Sequence, residues 1–176
     1  MAHGNLTRTR GGVATGGGLR GLKETAGRYA LLPLRVFLGV TFVYAGFDKL
    51  TGGTTTLKAS GPGSLGELMH SVRDSSAIPA LVDLALKSPV GFGYAIAIGE
   101  IAVGLGILVG LFGRLAATGG ALISLSLWLT VSWATTPYYY GNDLAYLMAW
   151  LPLVLAGTPL LSADAWLASR RRLRTS

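Results

Sequence analysis

Long apolar runs broken by short polar punctuation dominate this chain. Four of them, residues 31–50, 90–112, 115–134 and 144–161, have the length of about 20 residues that a helix needs to cross a bilayer. Their limits carry local signals. Ser88-Pro89 suits a helix start, Gly113-Arg114 a tight turn, Pro137 follows the third run, and Pro159 closes the fourth. Pro152 lies inside the fourth run and predicts a kink there. Runs two and three are nearly contiguous, which predicts an antiparallel hairpin.

Between the first two runs, residues 51–88 begin as loop, with Thr51-Gly52-Gly53 and Gly61-Pro62-Gly63, and turn amphipathic at Ser64. From there Leu65, Leu68, Met69 and Val72 recur at helical spacing opposite Glu67 and Asp74. Ser64 with Glu67 makes a capping-box pattern at the start. After Pro79 a second apolar segment, Leu81 to Leu86, is too short to span. Both pieces are expected on the outer interface or over the mouth of the bundle. The predicted fold is all-α, a polytopic membrane four-helix bundle over 30–162 with a long outer loop containing short amphipathic helices.

Composition sharpens this picture. Of 176 residues, 51% are hydrophobic and 13% charged, against the roughly 25% charge of a soluble domain. Residues 1–29 are rich in Gly, Thr and Arg with no apolar periodicity, and read as a disordered basic cytoplasmic tail rather than a secretory signal. Residues 163–176 form a second basic tail whose Arg170-Arg171-Arg172 run attracts anionic lipid. With the N-terminus inside, ten Lys and Arg fall on inner segments and three (Lys58, Arg73, Lys87) on the outer loop. That bias predicts a membrane protein with both termini cytoplasmic. The net charge of +7 is accordingly assigned to membrane lipid and not to nucleic acid.

The chain has no cysteine and two histidines, His3 and His70. It therefore carries no thiolate for an iron–sulfur cluster and no histidine pair on membrane helices for a haem. Glu67, His70 and Asp74 share a face at i, i+3 and i+7, which reads as a solvated surface, and no metal site is assigned. Charges inside apolar runs are costly and are functional candidates: Arg35, Asp48, Lys49, Glu100 and Asp143. Arg35 and the Asp48-Lys49 pair sit near the ends of the first run, where snorkelling satisfies them. Glu100 lies about 15 Å below the start of the second run, which makes escape to water harder.

A helical wheel places Ile98, Ile101, Leu105, Leu108 and Phe112 on one side of the second run, expected to face lipid. Gly93, Gly99, Gly104, Gly106 and Gly110 lie on the half that holds Glu100. Glu100 is therefore expected to point into the bundle. There a carboxylate must take a proton or find a cation. In the first run Arg35, Gly39, Phe42, Gly46 and Lys49 form one stripe, with Phe37, Val40, Tyr44 and Phe47 mostly opposite. Lys49 is thus the expected counter-charge, and Asn142 with Asp143 completes an outer polar cluster. Tyr138-Tyr139-Tyr140 and Trp133 read as an interfacial belt.

Several segments carry a family resemblance: Arg35-Val36-Phe37-Leu38-Gly39, Phe42 through Leu50, Gly99-Glu100-Ile101-Ala102-Val103-Gly104, Gly113-Arg114-Leu115, and Pro137 through Asp143. In order and spacing the chain resembles the DoxX/DoxD family of small bacterial membrane proteins, in particular the DoxD-like group related to the membrane subunit of thiosulfate:quinone oxidoreductase. The resemblance implies an all-helical bundle and, for some members, a subunit passing electrons from thiosulfate to membrane quinone. Carried onto this chain, it makes Glu100 a proton relay and Arg35, Lys49, Asp48, Tyr44, Asn142 and Asp143 the candidate quinone or polar cluster.

Two functions stay open at this point. One is a redox-complex subunit that binds quinone and takes electrons from thiosulfate or another donor. The other is a non-catalytic scaffold or assembly subunit that docks redox or oxidative-stress proteins. Either implies a protein partner subunit or a homo-oligomer. Small-solute transport is a weaker third reading, because four helices enclose little space.

Overall fold

The computed structural model describes residues 29–52 and 57–157. The tails expected at 1–29 and 163–176, apart from Tyr29, lie outside them, as do Pro159 and the end of the fourth run. Among the described residues the chain is helical with no strand. The helices are α1 (Leu32–Thr51), α2 (Leu65–Val72), α3 (Pro79–Leu86), α4 (Pro89–Val109), α5 (Gly113–Thr130) and α6 (Asn142–Ala156), with a 3-10 turn at Tyr138–Tyr140.

By length and composition, α4 alone among these is long and apolar enough to cross a membrane, and α6 is a shorter apolar helix. The other two long helices differ for local reasons. Arg35, Asp48 and Lys49 interrupt α1, and Gly, Thr and Ser dilute the aliphatic residues of α5. Only 28% of the apolar window of α4 is buried, so this helix turns most of its apolar surface outward, unlike the core helix of a soluble protein.

The four long helices share one core, which includes Leu38 and Phe42 of α1, Ile107 of α4, Ala117 of α5, and Trp150 and Leu153 of α6. Helices α1 and α4 run antiparallel along a seam of small residues. A Cβ on Gly39 would lie 2.5 Å from Leu108 Cγ, one on Gly46 2.5 Å from the Ala97 carbonyl oxygen, and one on Gly104 2.7 Å from the Gly39 carbonyl oxygen. Such approach is open only to glycine. It also corrects the expected outward side of the second run. Ile98 and Leu105 are exposed, as is Phe112 just beyond the helix, but Ile101 and Leu108 fold over the α1 glycines and are half-buried.

Helix ends depart from the sequence expectation in three places. Helix α4 stops at Val109 because Gly110 takes the left-handed conformation (φ 70°) and donates its N–H to the Gly106 carbonyl, a C-terminal cap that glycine adopts without strain. The turn into α5 is therefore residues 110–112, with Phe112 also left-handed (φ 50°), and Gly113 already opens the helix. Helix α5 ends at Thr130 rather than 134, where the Leu127 carbonyl accepts from both Val131 and Ser132. Helix α6 continues through Pro152 and ends at Ala156, before Gly157, whose positive φ (72°) suits glycine.

The connection between α1 and α4 caps one end of the molecule. Ser64 Oγ accepts from the Glu67 N–H at 3.1 Å, half of the expected capping box. The Glu67 carboxylate takes the Gly63 N–H at 2.8 Å, since the Ser64 N–H is already in a turn with Gly61. Arg73 joins α2 to α3 through Asp83, Nε to Oδ1 at 2.5 Å and Nη2 to Oδ2 at 3.0 Å, and also pairs with Asp74. These hydrogen bonds hold the Asp83 carboxyl below its ordinary range and raise Arg73. Ala77 N–H and Ser76 Oγ both donate to the Leu129 carbonyl, one of the four acceptors that the last turn of α5 leaves open. The loop is thereby fastened to the helix end.

Candidate functional site

Two cations of α1 reach α4, at opposite ends of the seam. A Cα–Cβ bond tilts toward its helix N-terminus, so in antiparallel helices Lys49 leans down α1 while Glu100 leans up α4, toward each other. The Lys49 ammonium lies 2.9 Å from Oε1 and 2.8 Å from Oε2 of Glu100. The Glu100 side chain is 4% exposed and that of Lys49 31%. The counter-charge expected for Glu100 is thus in place, and the lysine bridges from a wetter edge to a buried carboxylate.

Asp143, in the first turn of α6, is close enough to feel the charges of both Lys49 and Glu100. Its Oδ2 accepts the Ser132 hydroxyl proton. Lys49, Asp48 and Asp143 stand at the polar side of a cavity of about 280 Å³. Leu65, Leu68 and Met69 of α2, Val82 of α3, Phe92 of α4 and Leu127 of α5 furnish much of its apolar wall. Ser126 and Thr130 also line it, but each hydroxyl donates to its own helix, to the Ile123 carbonyl at 2.8 Å and the Ser126 carbonyl at 2.7 Å. Among the described residues no cluster of three metal-ligating side chains occurs.

The structure divides the candidate residues named from sequence. Lys49, Asp48, Asp143 and Glu100 come together. Arg35 does not join them: it is buried, and its guanidinium donates to the carbonyls of Ile107 at 2.5 Å and Leu108 at 2.6 Å. Those acceptors belong to the last turn of α4, which has no intrahelical donors for them and carries the negative end of the helix dipole. Arg114 does the same for α6, reaching the Leu155 carbonyl at 3.2 Å. Tyr44 points outward, 72% exposed, and Asn142 is exposed at the start of α6. Tyr138, Tyr139 and Tyr140 are exposed and stack edge to face.

The sequence reading missed Ser132, the partner of Asp143, and the cavity itself. Serine carries no positional signal of its own. The apolar faces of α2 and α3 were visible, with the mouth of the bundle as one of their two expected places, but not the chamber beneath them. No curated protein and no solved structure shows significant similarity to the chain. The family model for DoxX matches residues 30–133, more than half of the chain, a stretch that takes in α1 to α5 and both members of the Lys49–Glu100 pair; the protein belongs to the membrane-associated DoxX family.

Proposed function

We propose that the protein is an integral membrane subunit of a redox complex, and that its cavity receives the head group of a membrane quinone. In this reading the four long helices cross the plasma membrane, both termini are cytoplasmic, and α2 and α3 lie on the outer face. Lys and Arg asymmetry supports the orientation. Outward-facing Phe37, Val40, Ile98, Leu105, Leu122 and Leu155 support a lipid surround, since a water-soluble surface rarely presents so much contiguous apolar area.

The observation that carries the reading is the cavity, an apolar chamber ending on Lys49, Asp48 and Asp143. Its volume of about 280 Å³ lies just below the roughly 300–1,000 Å³ typical of small-molecule sites. That is room for a substituted ring, with an isoprenoid tail left in lipid. Lys49 would hold a ring oxygen. Quinone reduction consumes protons as well as electrons, and the carboxylates at the polar side supply groups that exchange protons. Electrons arrive from a partner subunit, because the chain has no cysteine with which to ligate a cluster. Thiosulfate is the donor that the DoxD-like resemblance suggests.

One observation favours a scaffold that docks redox partners instead: Lys49 already engages both oxygens of Glu100. Extraction of the protein in mild detergent, quinone analysis by mass spectrometry, and thiosulfate-dependent quinone reduction in native membranes separate the two readings. Co-purified quinone, with turnover lost in Glu100→Gln, is the expected result. A quinone-free protein whose deletion leaves quinone reduction intact would establish the scaffold.

A further inference from the structure

The cavity's polar side is rich in acceptors and poor in donors. The Ser126 and Thr130 hydroxyl protons are committed to backbone carbonyls, which leaves their oxygen lone pairs as acceptors. Asp143 spends one carboxylate oxygen on Ser132 and keeps the second as an acceptor. Among the described residues that line the cavity, Lys49 is the one cationic donor, and with two of its three N–H protons given to Glu100 it keeps one for a ring oxygen.

An oxidised quinone ring presents carbonyl oxygens, which need donors. The reduced ring presents hydroxyls, which donate, and a donor facing a carboxylate makes a charge-assisted bond of roughly twice the ordinary strength. Lys49 can satisfy one ring carbonyl, and the other, buried against these acceptors, is left unsatisfied. We infer that the cavity discriminates between the two forms of its ligand and holds the hydroquinone more tightly than the quinone, with Asp143 and Thr130 as the discriminating acceptors. This rests on the quinone reading of the cavity. By linkage, tighter binding of the reduced form makes the bound couple easier to reduce, by about 30 mV for each tenfold in affinity, so the site would draw electrons from its donor.

The test is equilibrium binding under anaerobic conditions, with full-length protein in nanodiscs and a short-chain benzoquinone compared with its chemically reduced hydroquinone. The expected dissociation constant for the hydroquinone is about tenfold lower, the scale of one hydrogen bond to a charged group. In Asp143→Asn the preference should fall to about threefold or less, and Thr130→Val, which keeps the side-chain shape, should lower it by a smaller factor. Equal binding of the two forms, tighter binding of the quinone, or a preference unchanged in both variants would overturn the inference while leaving the quinone site standing. Binding of neither form would remove the quinone reading and the inference together.

Discussion

At both ends of the α1–α4 seam a cation on α1 reaches a partner on α4, yet the two ends are chemically unlike. Near the α4–α5 turn, Arg35 meets the Ile107 and Leu108 carbonyls. Neither partner exchanges a proton near neutral pH, since guanidinium stays charged and a peptide carbonyl does not titrate. At the other end Lys49 meets Glu100 beside a cavity. One of these groups, Lys49, is partly in reach of water. The first end is a fixed clasp. The second is an ion pair between two side chains, and the cavity lies at that end.

The largest expected effect comes from removing the cation at the cavity end. Lys49→Met leaves Glu100 buried without its counter-charge and should cost about 3 kcal/mol, the lower part of the range for a broken buried pair because Lys49 is partly exposed. Reversible unfolding in mixed micelles measures it. Lys49→Met combined with Glu100→Gln should recover most of that loss, as a double-mutant cycle would register. A double variant no more stable than Lys49→Met would mean that Glu100 is held by something other than the lysine.

Arg35→Leu strips two carbonyls of a buried donor and should cost about 1–3 kcal/mol. The two ends are about 21 Å apart along α1, so this loss should add to that of Lys49→Met within roughly 0.5 kcal/mol. Quinone binding should be unchanged in Arg35→Leu. Weakened binding there would join the ends and break the distinction. Gly104→Ala places a methyl 2.7 Å from the Gly39 carbonyl oxygen and 2.8 Å from Val43 Cγ2. It should cost about 1–3 kcal/mol of overpacking and weaken both clasps by prising the seam apart, read as lower stability with reduced Lys49–Glu100 coupling in the same cycle.

The smallest effect concerns the roof. Asp83 is held below its ordinary pKa by Arg73, so its contribution is fully present above the unfolded carboxylate range. It is lost as pH falls through the lowered folded value. Amide exchange in α2 and α3 should therefore rise as the solution is taken below about pH 4. Asp83→Asn should show the higher exchange already at neutral pH. Arg73 is raised from an already high value and contributes no transition near neutrality.

The elements most legible in the sequence were those set by local periodicity. The α1 stripe of Arg35, Gly39, Phe42 and Gly46 is buried, with Phe37, Val40, Tyr44 and Phe47 outside. The Ser64 cap and the burial of Glu100 followed from similar rules. Arg35 was rightly turned inward but wrongly grouped with Lys49 and Glu100, because its partners are backbone carbonyls, which every residue carries and no residue type marks. Tyr44 and Asn142 share a stretch of sequence with Lys49 and Asp143 but lie on other faces, and proximity along a chain says little about direction around a helix.

Composition and spacing alone determined that the chain is helical, that its apolar surface exceeds what a soluble core needs, and that Glu100 sits too deep to remain without a partner. These follow from hydrogen-bond satisfaction and the 3.6-residue period, which act within each segment. Tertiary structure decided that Arg35 holds the end of α4 instead of joining Lys49 and Glu100, that Ser132 orients Asp143, and that α2 and α3 enclose a cavity. Those choices depend on how far antiparallel helices slide past each other before glycine backbones touch, a distance set by packing between segments.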